Sequence, residues 1–458
     1  MIQKSMNLPL DFYFNLPSCV PSTSFECSGA TLKASDLEPL YYKEKVLGLA
    51  EVMDFPAVLN CDKDMIAKIK TAYDNDKIID GHGAGFDINS LNAYCTAHIK
   101  TDHECHLAEE AINRIRRGMY VLIREGTVAK NLKELLPIIN EKTSRRLCFC
   151  TDDKHIDDII KYGSIDSSIR YAIKNNVSAP TAIQIATINA AECYNLKEIG
   201  AIAPGYKADF LILSNLNYFE FESVYKNGKL LMHKGKIIEN SSYTSKIHDF
   251  NNSVKFSDIN ETSFNIPLDN KKFLNVIELI PNKLESKKLK VKIQGKLNFF
   301  HSLINEDLLK VAVIERHKLT GDIGLGIIKG LKLKNGAIAT TIAHDSHNLI
   351  VCGTNDSDML FAAKQLQLMG GGIIVVNEGK ILAKMQLEIA GLMSERPLEI
   401  ILEELTKLHK AISILSPDID FNPFLTLSYL SLPVIPELKI TNKGLFDVKN
   451  LKFIPIAE

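Results

Sequence analysis

Residues Arg145–His155 read RRLCFCTDDKH, and the texture of the apolar half, repeated along the chain, sets the architecture. A run of strand length breaks into two adjacent carboxylates, Asp152 and Asp153, with an imidazole, His155, two residues on. Read alone, the polar half is a helix N-cap followed by a solvated turn. Its alternative is a carboxylate that works at a strand end. Upstream, DFYFNL, VLGLAEV, KIIDG, HIKTD and MYVLIREG are five more short apolar runs, so RRLCFC is the sixth. Between most of them lie stretches of helical period such as DKDMIAKIKTAYDND, AEEAINRIRRG and NLKELLPIINE. After the sixth come DDIIKYGSIDSSIRYAIKNN and PTAIQIATINAAECYNL. Repeated strand–helix units predict an α/β chain, a parallel sheet with helices packed outside it. Six units fit an incomplete (β/α)8-type barrel, two units short of closure.

From 200 to about 238 the pattern changes to short β-rich runs with Gly and Asn turns, and ENSSYTSKIHDFNNS then reads as a polar linker. The expected organisation is a partial barrel over 1–198, a small β-region over 199–240, a linker over 241–255 and an additional C-terminal α+β domain over 256–458. In the last, DSDMLFAAKQLQLM is helix-like, and GGGIIVVNEGKILAKM reads as a strand pair turning at Glu378–Gly379.

The 458 residues are 46% hydrophobic and 24% charged, ordinary for a soluble protein with a large core. A formal net charge of -1 without a basic tract argues against nucleic acid or an anionic membrane as partner. No signal-like segment and no apolar run near membrane-spanning length is present, so neither secretion nor membrane spanning is expected. Nine scattered cysteines, an odd number, point to reduced thiols and a cytoplasmic location rather than a disulfide framework. Cys148 and Cys150 sit within the apolar strand, where core packing is the default reading.

Metal-ligand residue types recur where the candidate strands run out. Glu51 follows VLGLA, His82 follows KIIDG, His103 follows HIKTD and Asp152 follows LCFCT. Strand ends in an α/β barrel converge on one face, so these four side chains can meet in one site. Imidazoles with carboxylates suit a hydrolytic divalent metal centre, in which a carboxylate can bridge two ions. Singly, each has a plainer reading: Glu51 as a surface acid, His82 as a turn residue in DGHGAG, His103 as part of a solvated helix start.

With these motifs in view, the chain resembles the adenine deaminase family of the amidohydrolase superfamily. The resemblance is carried by LPSCVPSTSFECSGA, VLGLAEVMDFPAVLN, IIDGHGAG, TDHEC, CFCTDDKH and GAIAPGYKADF, then by IERHKLTGDIGLG, IATTIAHDSHN and LSLPVIPELKITNKGLFDV. It implies hydrolytic deamination of adenine to hypoxanthine and ammonia at a two-metal site, usually assigned manganese (Mn2+) or iron (Fe2+). It implies Glu51 as the bridging carboxylate, His82 and His103 as ligands of the second metal, and Asp152 as ligand and proton acceptor. In that scheme metal-activated hydroxide attacks C6 of adenine, and Asp152 relays the proton to the purine or to departing ammonia. Asp153 and His155 become candidates for substrate contact, with helix capping and a solvated turn as the competing reading. A cytoplasmic homo-oligomer acting on a small-molecule substrate, adenine, is expected. The H-x-E and P-C-x-x-C pattern of the zinc base deaminases is absent from the sequence.

The sequence also departs from that family. The family's barrel opens with a strand carrying a His-x-His pair that holds the first metal, and no His-x-His occurs here. DFYFNL then reads as the third barrel strand, and the expectation is a chain lacking two strand–helix units. Its first metal would keep at most Glu51 and Asp152, and its second Glu51, His82 and His103. The rival readings are a non-catalytic remnant acting as an assembly or binding partner, and another amidohydrolase acting on a cyclic amide. His344, Asp345 and His347 in AHDSHN stay unassigned between a turn network, a further ion and an active-site wall. Gly324, Gly326 and Gly370–Gly372 match no phosphate-loop pattern.

Overall fold

A computed structural model describes residues 1–6, 8–238, 250–295 and 297–458. Positions 241–249 of the expected linker lie outside them. The chain divides into two compact units, Met1–Cys19 with Leu32–Lys246 and Val20–Thr31 with Ile247–Glu458. This division keeps the small β-region with the barrel strands and assigns Val20–Thr31, from within 1–198, to the second unit.

In the first unit all six apolar runs form strands: β1 Phe14–Pro17, β2 Val46–Val52, β3 Ile78–Gly81, β4 Thr101–Asp102, β5 Tyr120–Arg124 and β6 Leu147–Cys150. They run in chain order as two parallel three-stranded sheets, β1-β2-β3 and β4-β5-β6. The Lys100 N–H donates to the Ile79 carbonyl (3.0 Å), carrying the sheet from one group to the other. This is the incomplete α/β barrel expected from sequence. Helices supply the outer layer. Lys63–Asp74 starts where the Asp62 carboxylate accepts from the Asp64 and Met65 N–H groups, and Met65, Ile69 and Ala72 turn inward at helical spacing. Val121, Ile123, Leu147 and Phe149 are buried together with Ile169, Ala172, Ala182 and Ile185 of the later helices. Each such large apolar side chain contributes about 1.5–3 kcal/mol on burial. Four antiparallel strands follow, β7 Phe210–Asn215, β8 Glu220–Lys226, β9 Lys229–His233 and β10 Lys236–Ile237, in the order β10-β9-β8-β7.

The second unit is built on an eight-stranded mixed sheet. Its strands are β11 Phe273–Leu279, β12 Ser286–Lys292, β13 Leu309–Ile314, β14 Ile323–Lys329, β15 Ala337–Thr340, β16 Leu349–Gly353, β17 Gly372–Asn377 and β18 Lys380–Gln386. Their order is β12-β11-β14-β13-β16-β15-β17-β18. All six residues of β13 are buried, because both faces of the sheet are covered. Val311 and Val313 pack with Leu408, Ile412 and Leu415 of helix Leu398–Leu415. Their neighbours Ala312 and Ile314 pack on the opposite side with Met359, Ala362 and Leu366 of helix Asp356–Leu368. The alternation is the period-2 rule of a strand buried on both faces. A small sheet of β19 Leu438–Thr441, β20 Gly444–Asp447 and β21 Lys452–Phe453 completes the unit. Among the described residues no helix is long and apolar enough to cross a membrane.

Candidate active site

Parallel strands in chain order bring their C-terminal ends to one side, and the polar residues at those ends meet there. Glu51 is the penultimate residue of β2, His82 and His103 follow β3 and β4 directly, and Asp152 lies two residues past β6. The Glu51 Oε2 is 3.1 Å from His82 Nδ1 and 2.9 Å from His103 Nε2, and His103 Nε2 is 3.9 Å from Asp152 Oδ2. All four residues singled out from sequence are therefore gathered. Two sets of ligand atoms lie within 4.8 Å of one another, Glu51/His82/His103 and His103/Glu104/Asp152.

Backbone contacts hold these side chains in register. The His82 N–H donates to the Tyr94 hydroxyl (2.8 Å), which donates in turn to the Val52 carbonyl (2.6 Å), so one phenol ties the ends of β2 and β3 together. The Asp102 carboxylate accepts from the N–H groups of Gly83 and Glu104, both at 2.9 Å, and from Arg114 Nε at 2.8 Å. One carboxylate thus fixes the chain just after His82 and just after His103. Asp152 adopts φ 52°, a left-handed conformation that a non-glycine residue takes up only where its surroundings demand it.

Asp153 and His155 are placed differently. The Asp153 N–H donates to Asp152 Oδ1 (2.8 Å), and the His155 N–H donates to Thr127 Oγ1 (2.8 Å). His155 occupies the N-cap position of helix Ile156–Tyr162 without capping it through its side chain. Neither side chain belongs to the two ligand sets. His344, Asp345 and His347 fall in the second unit, where His344 Nδ1 lies 2.9 Å from Asp345 Oδ1 and the His344 ring stacks on Tyr429 at 4.6 Å.

Sequence reasoning missed Glu104 and Arg124. Glu104 is buried beside His103, and its carboxylate is bonded by the guanidinium of Arg124, itself the last residue of β5. Arg124 Nη1 also donates to Asp152 Oδ2 at 2.8 Å. Both residues obey the strand-end rule that picked out the other four. Arg124 escaped because only metal-ligand residue types were sought.

The charges of the cluster are strongly coupled. Burial pushes the Glu51 carboxyl up, but the imidazoles of His103 and His82 outweigh it and hold the group well below the usual carboxylate range. Burial would strip the proton from both imidazoles, yet Glu51, Asp152 and Glu104 raise His103 well above its ordinary value. Glu104 and Glu51 likewise raise His82. A field that keeps protons on two buried imidazoles also favours a divalent cation in their place. His82 Nδ1 and His103 Nε2 both face the same Glu51 oxygen, so one nitrogen of each ring is already directed at a shared carboxylate, as ligands of one ion would be. The residues fit a divalent metal ion.

Residues 1–238 match the amidohydrolase family, and residues 283–452 match the adenine deaminase C-terminal domain. Over 456 residues the chain is 47% identical to adenine deaminase of Bacillus pumilus, covering 100% of this chain and 79% of that protein. It is 46% identical over 458 residues to adenine deaminase of Geobacillus kaustophilus, again covering 100% and 79%. The adenine deaminase of Clostridium acetobutylicum is 45% identical over 458 residues, with 99% and 80% covered.

The chain belongs to the adenine deaminase family.

Membership makes it an amidohydrolase, a class of hydrolases built around a metal centre, and the gathered donor set agrees with that chemistry. These relatives lend no support to a cyclic-amide hydrolase or to a non-catalytic remnant.

Proposed function

We propose that this adenine deaminase family member hydrolyses adenine to hypoxanthine and ammonia, with Glu51, His82, His103 and Asp152 as its working residues. The observation that supports this reading most is the convergence of two imidazoles and two carboxylates from four successive strand ends. Glu51, His82 and His103 would hold a divalent ion, with Asp152 beside it sharing His103 as neighbour. Imidazole nitrogen and carboxylate oxygen donors suit Mn2+ or Fe2+. When bound, such an ion supplies the Lewis acidity that makes hydroxide available at neutral pH.

The remaining work falls to the chain. Oxygen adds to C6 of the purine, the bond from C6 to the exocyclic nitrogen breaks, and one proton must travel from the attacking water to the departing ammonia. Asp152 is the base for that transfer, because its carboxylate faces His103 and is partly open to solvent. Arg124 donates to Oδ2 and the Asp153 N–H to Oδ1, so both oxygens of that base are held in place. Asp153 and His155, one and three residues after that base, are proposed to border the substrate. A cytoplasmic homo-oligomer completes the reading; nine free cysteines fit a reducing compartment.

The test is adenine-dependent ammonia release by the purified chain with added Mn2+, beside Asp152→Asn. The variant is expected to lose about 100-fold or more in turnover, the usual weight of a general base. Equal release from both proteins would remove Asp152 from the mechanism, and no release from the wild-type chain would overturn the reaction itself.

A further inference from the structure

Three buried arginines invite comparison. Arg114 uses all three of its nitrogens: Nε donates to Asp102 Oδ2 (2.8 Å), Nη2 to the Gly83 carbonyl (2.8 Å) and Nη1 to the Glu110 carbonyl (3.4 Å). Arg316 is held by backbone carbonyls of His347, Ala390 and Thr341. Both are built as struts, their donors spread over the frame around them. Arg124 is not. Its Nη1 donates to two carboxylates, those of Glu104 and Asp152, while Nε and Nη2 are buried with no acceptor among the described residues. A guanidinium placed for packing would not leave two donors unmatched at 1% exposure. Its position is set by the two acids it bridges, and both belong with His103 to the second set of candidate metal ligands.

We propose that Arg124 is a built-in cation of the His103/Glu104/Asp152 set, a positioning residue that neutralises both carboxylates, keeps a divalent ion to the Glu51/His82/His103 set, and aims Asp152. Two carboxylates with only histidines for company in a buried site attract cations strongly. A fixed guanidinium satisfies that attraction without the mobility or exchange of a free ion, and its Nη1 alone reaches both acids.

The role of Arg124 in turnover rests on the adenine reading given above; its role in metal binding does not. The experiment is a Mn2+ binding isotherm on the metal-free full-length chain, for the wild type, Arg124→Met and Arg124→Lys, with thermal unfolding and adenine turnover on the same preparations. Arg124→Met is expected to bind Mn2+ about tenfold more tightly, or to bind one more ion per chain, because a cation has left the site. Its turnover is expected to fall about 10- to 100-fold. Arg124→Lys keeps the charge, but its ammonium ends one bond short of the Nη1 position and loses the hold on Asp152; it should keep wild-type metal binding and still lose turnover. A simple strut predicts the opposite sign for the first variant, with metal binding and melting temperature falling together, and that result overturns the proposal. Unchanged binding in Arg124→Met, or wild-type turnover in Arg124→Lys, overturns it too. A wild-type chain inert towards adenine would count against the reaction alone, and the isotherms would still decide the role of Arg124.

Discussion

Glu26 and Glu104 are the same side chain, both buried, under opposite fields. Burial raises each. At Glu104 the Arg124 guanidinium and the imidazoles of His82 and His103 outweigh it and bring the carboxyl down to about 2. Glu26, in the second unit, meets no cation among the described residues. Its carboxylate accepts from the Ser22 N–H (3.1 Å) and hydroxyl, and Asp345 stands nearby, so desolvation wins and the group is pushed up to about 7 from 4.5. Because the folded value is the higher one, the folded chain keeps a proton that the unfolded chain has shed between those two values. The stabilisation is whole below about pH 4.5 and is lost as pH rises through about 7, amounting to about 3 kcal/mol. The urea midpoint of the wild-type chain is therefore expected to fall between pH 5 and 8 by more than that of Glu26→Gln, whose amide keeps the acceptor but cannot titrate. Parallel pH dependences in the two proteins would mean that Glu26 is ionised in the folded chain.

Two glycines explain why β2, β3 and β4 approach closely enough to gather a site. A Cβ on Gly48 would lie 2.2 Å from the Ile78 carbonyl oxygen, and one on Gly81 would lie 2.2 Å from that of Thr101. Gly48 is three residues before Glu51 and Gly81 immediately precedes His82, so any splaying of these strands moves ligands. Gly48→Ala should destabilise the chain by about 1–3 kcal/mol, typical of overpacking against fixed backbone. It should also weaken Mn2+ binding, read from melting temperature and a binding isotherm; an unaltered isotherm would show that the β2–β3 spacing does not set the site. The glycines stand in plain view in VLGLAEV and KIIDGHG, but their purpose depends on a neighbouring strand. Elements of strong period were legible. VLGLAEV coincides with β2, and the turn at Glu378–Gly379 has both residues at positive φ, 51° and 65°, as a tight hairpin requires. Helix Ile88–Thr96 was not singled out, since only Leu91 and Tyr94 face inward and its apolar pattern is sparse. The membership of Val20–Thr31 in the second unit rests on contacts such as Cys27 N–H to Asn442 Oδ1 (2.9 Å), 415 positions apart, which no local pattern encodes. Glu51, His82, His103 and Asp152 were legible because each ends a strand. Arg124 ends one as well, and its meaning needed the two acids opposite it.

Each unit of the molecule carries its own hydrophobic core, and every candidate metal ligand among the described residues lies in the first. An ion that binds the folded first unit and not its unfolded chain stabilises that unit by mass action, about 2.7 kcal/mol when free metal is 100 times its dissociation constant. Amide protection in strands is governed by the free energy of the opening that exposes them. Chelation should therefore speed hydrogen exchange in peptides spanning 46–52, 78–82, 101–104 and 147–153 by about tenfold or more. Peptides spanning 309–314 and 349–353, at the centre of the eight-stranded sheet, should exchange at the same rate with or without chelator. The contrast follows from where the candidate ligands sit: Glu51, His82 and His103, with Asp152 beside them, come from the ends of four strands in the two parallel sheets, so removing the ion unties strand ends that the backbone ladder alone must then hold. Exchange accelerated equally in both sets would mean that the units open as one cooperative block. Exchange unchanged in both would mean that the gathered imidazoles and carboxylates are held by their own hydrogen bonds and gain nothing from an ion.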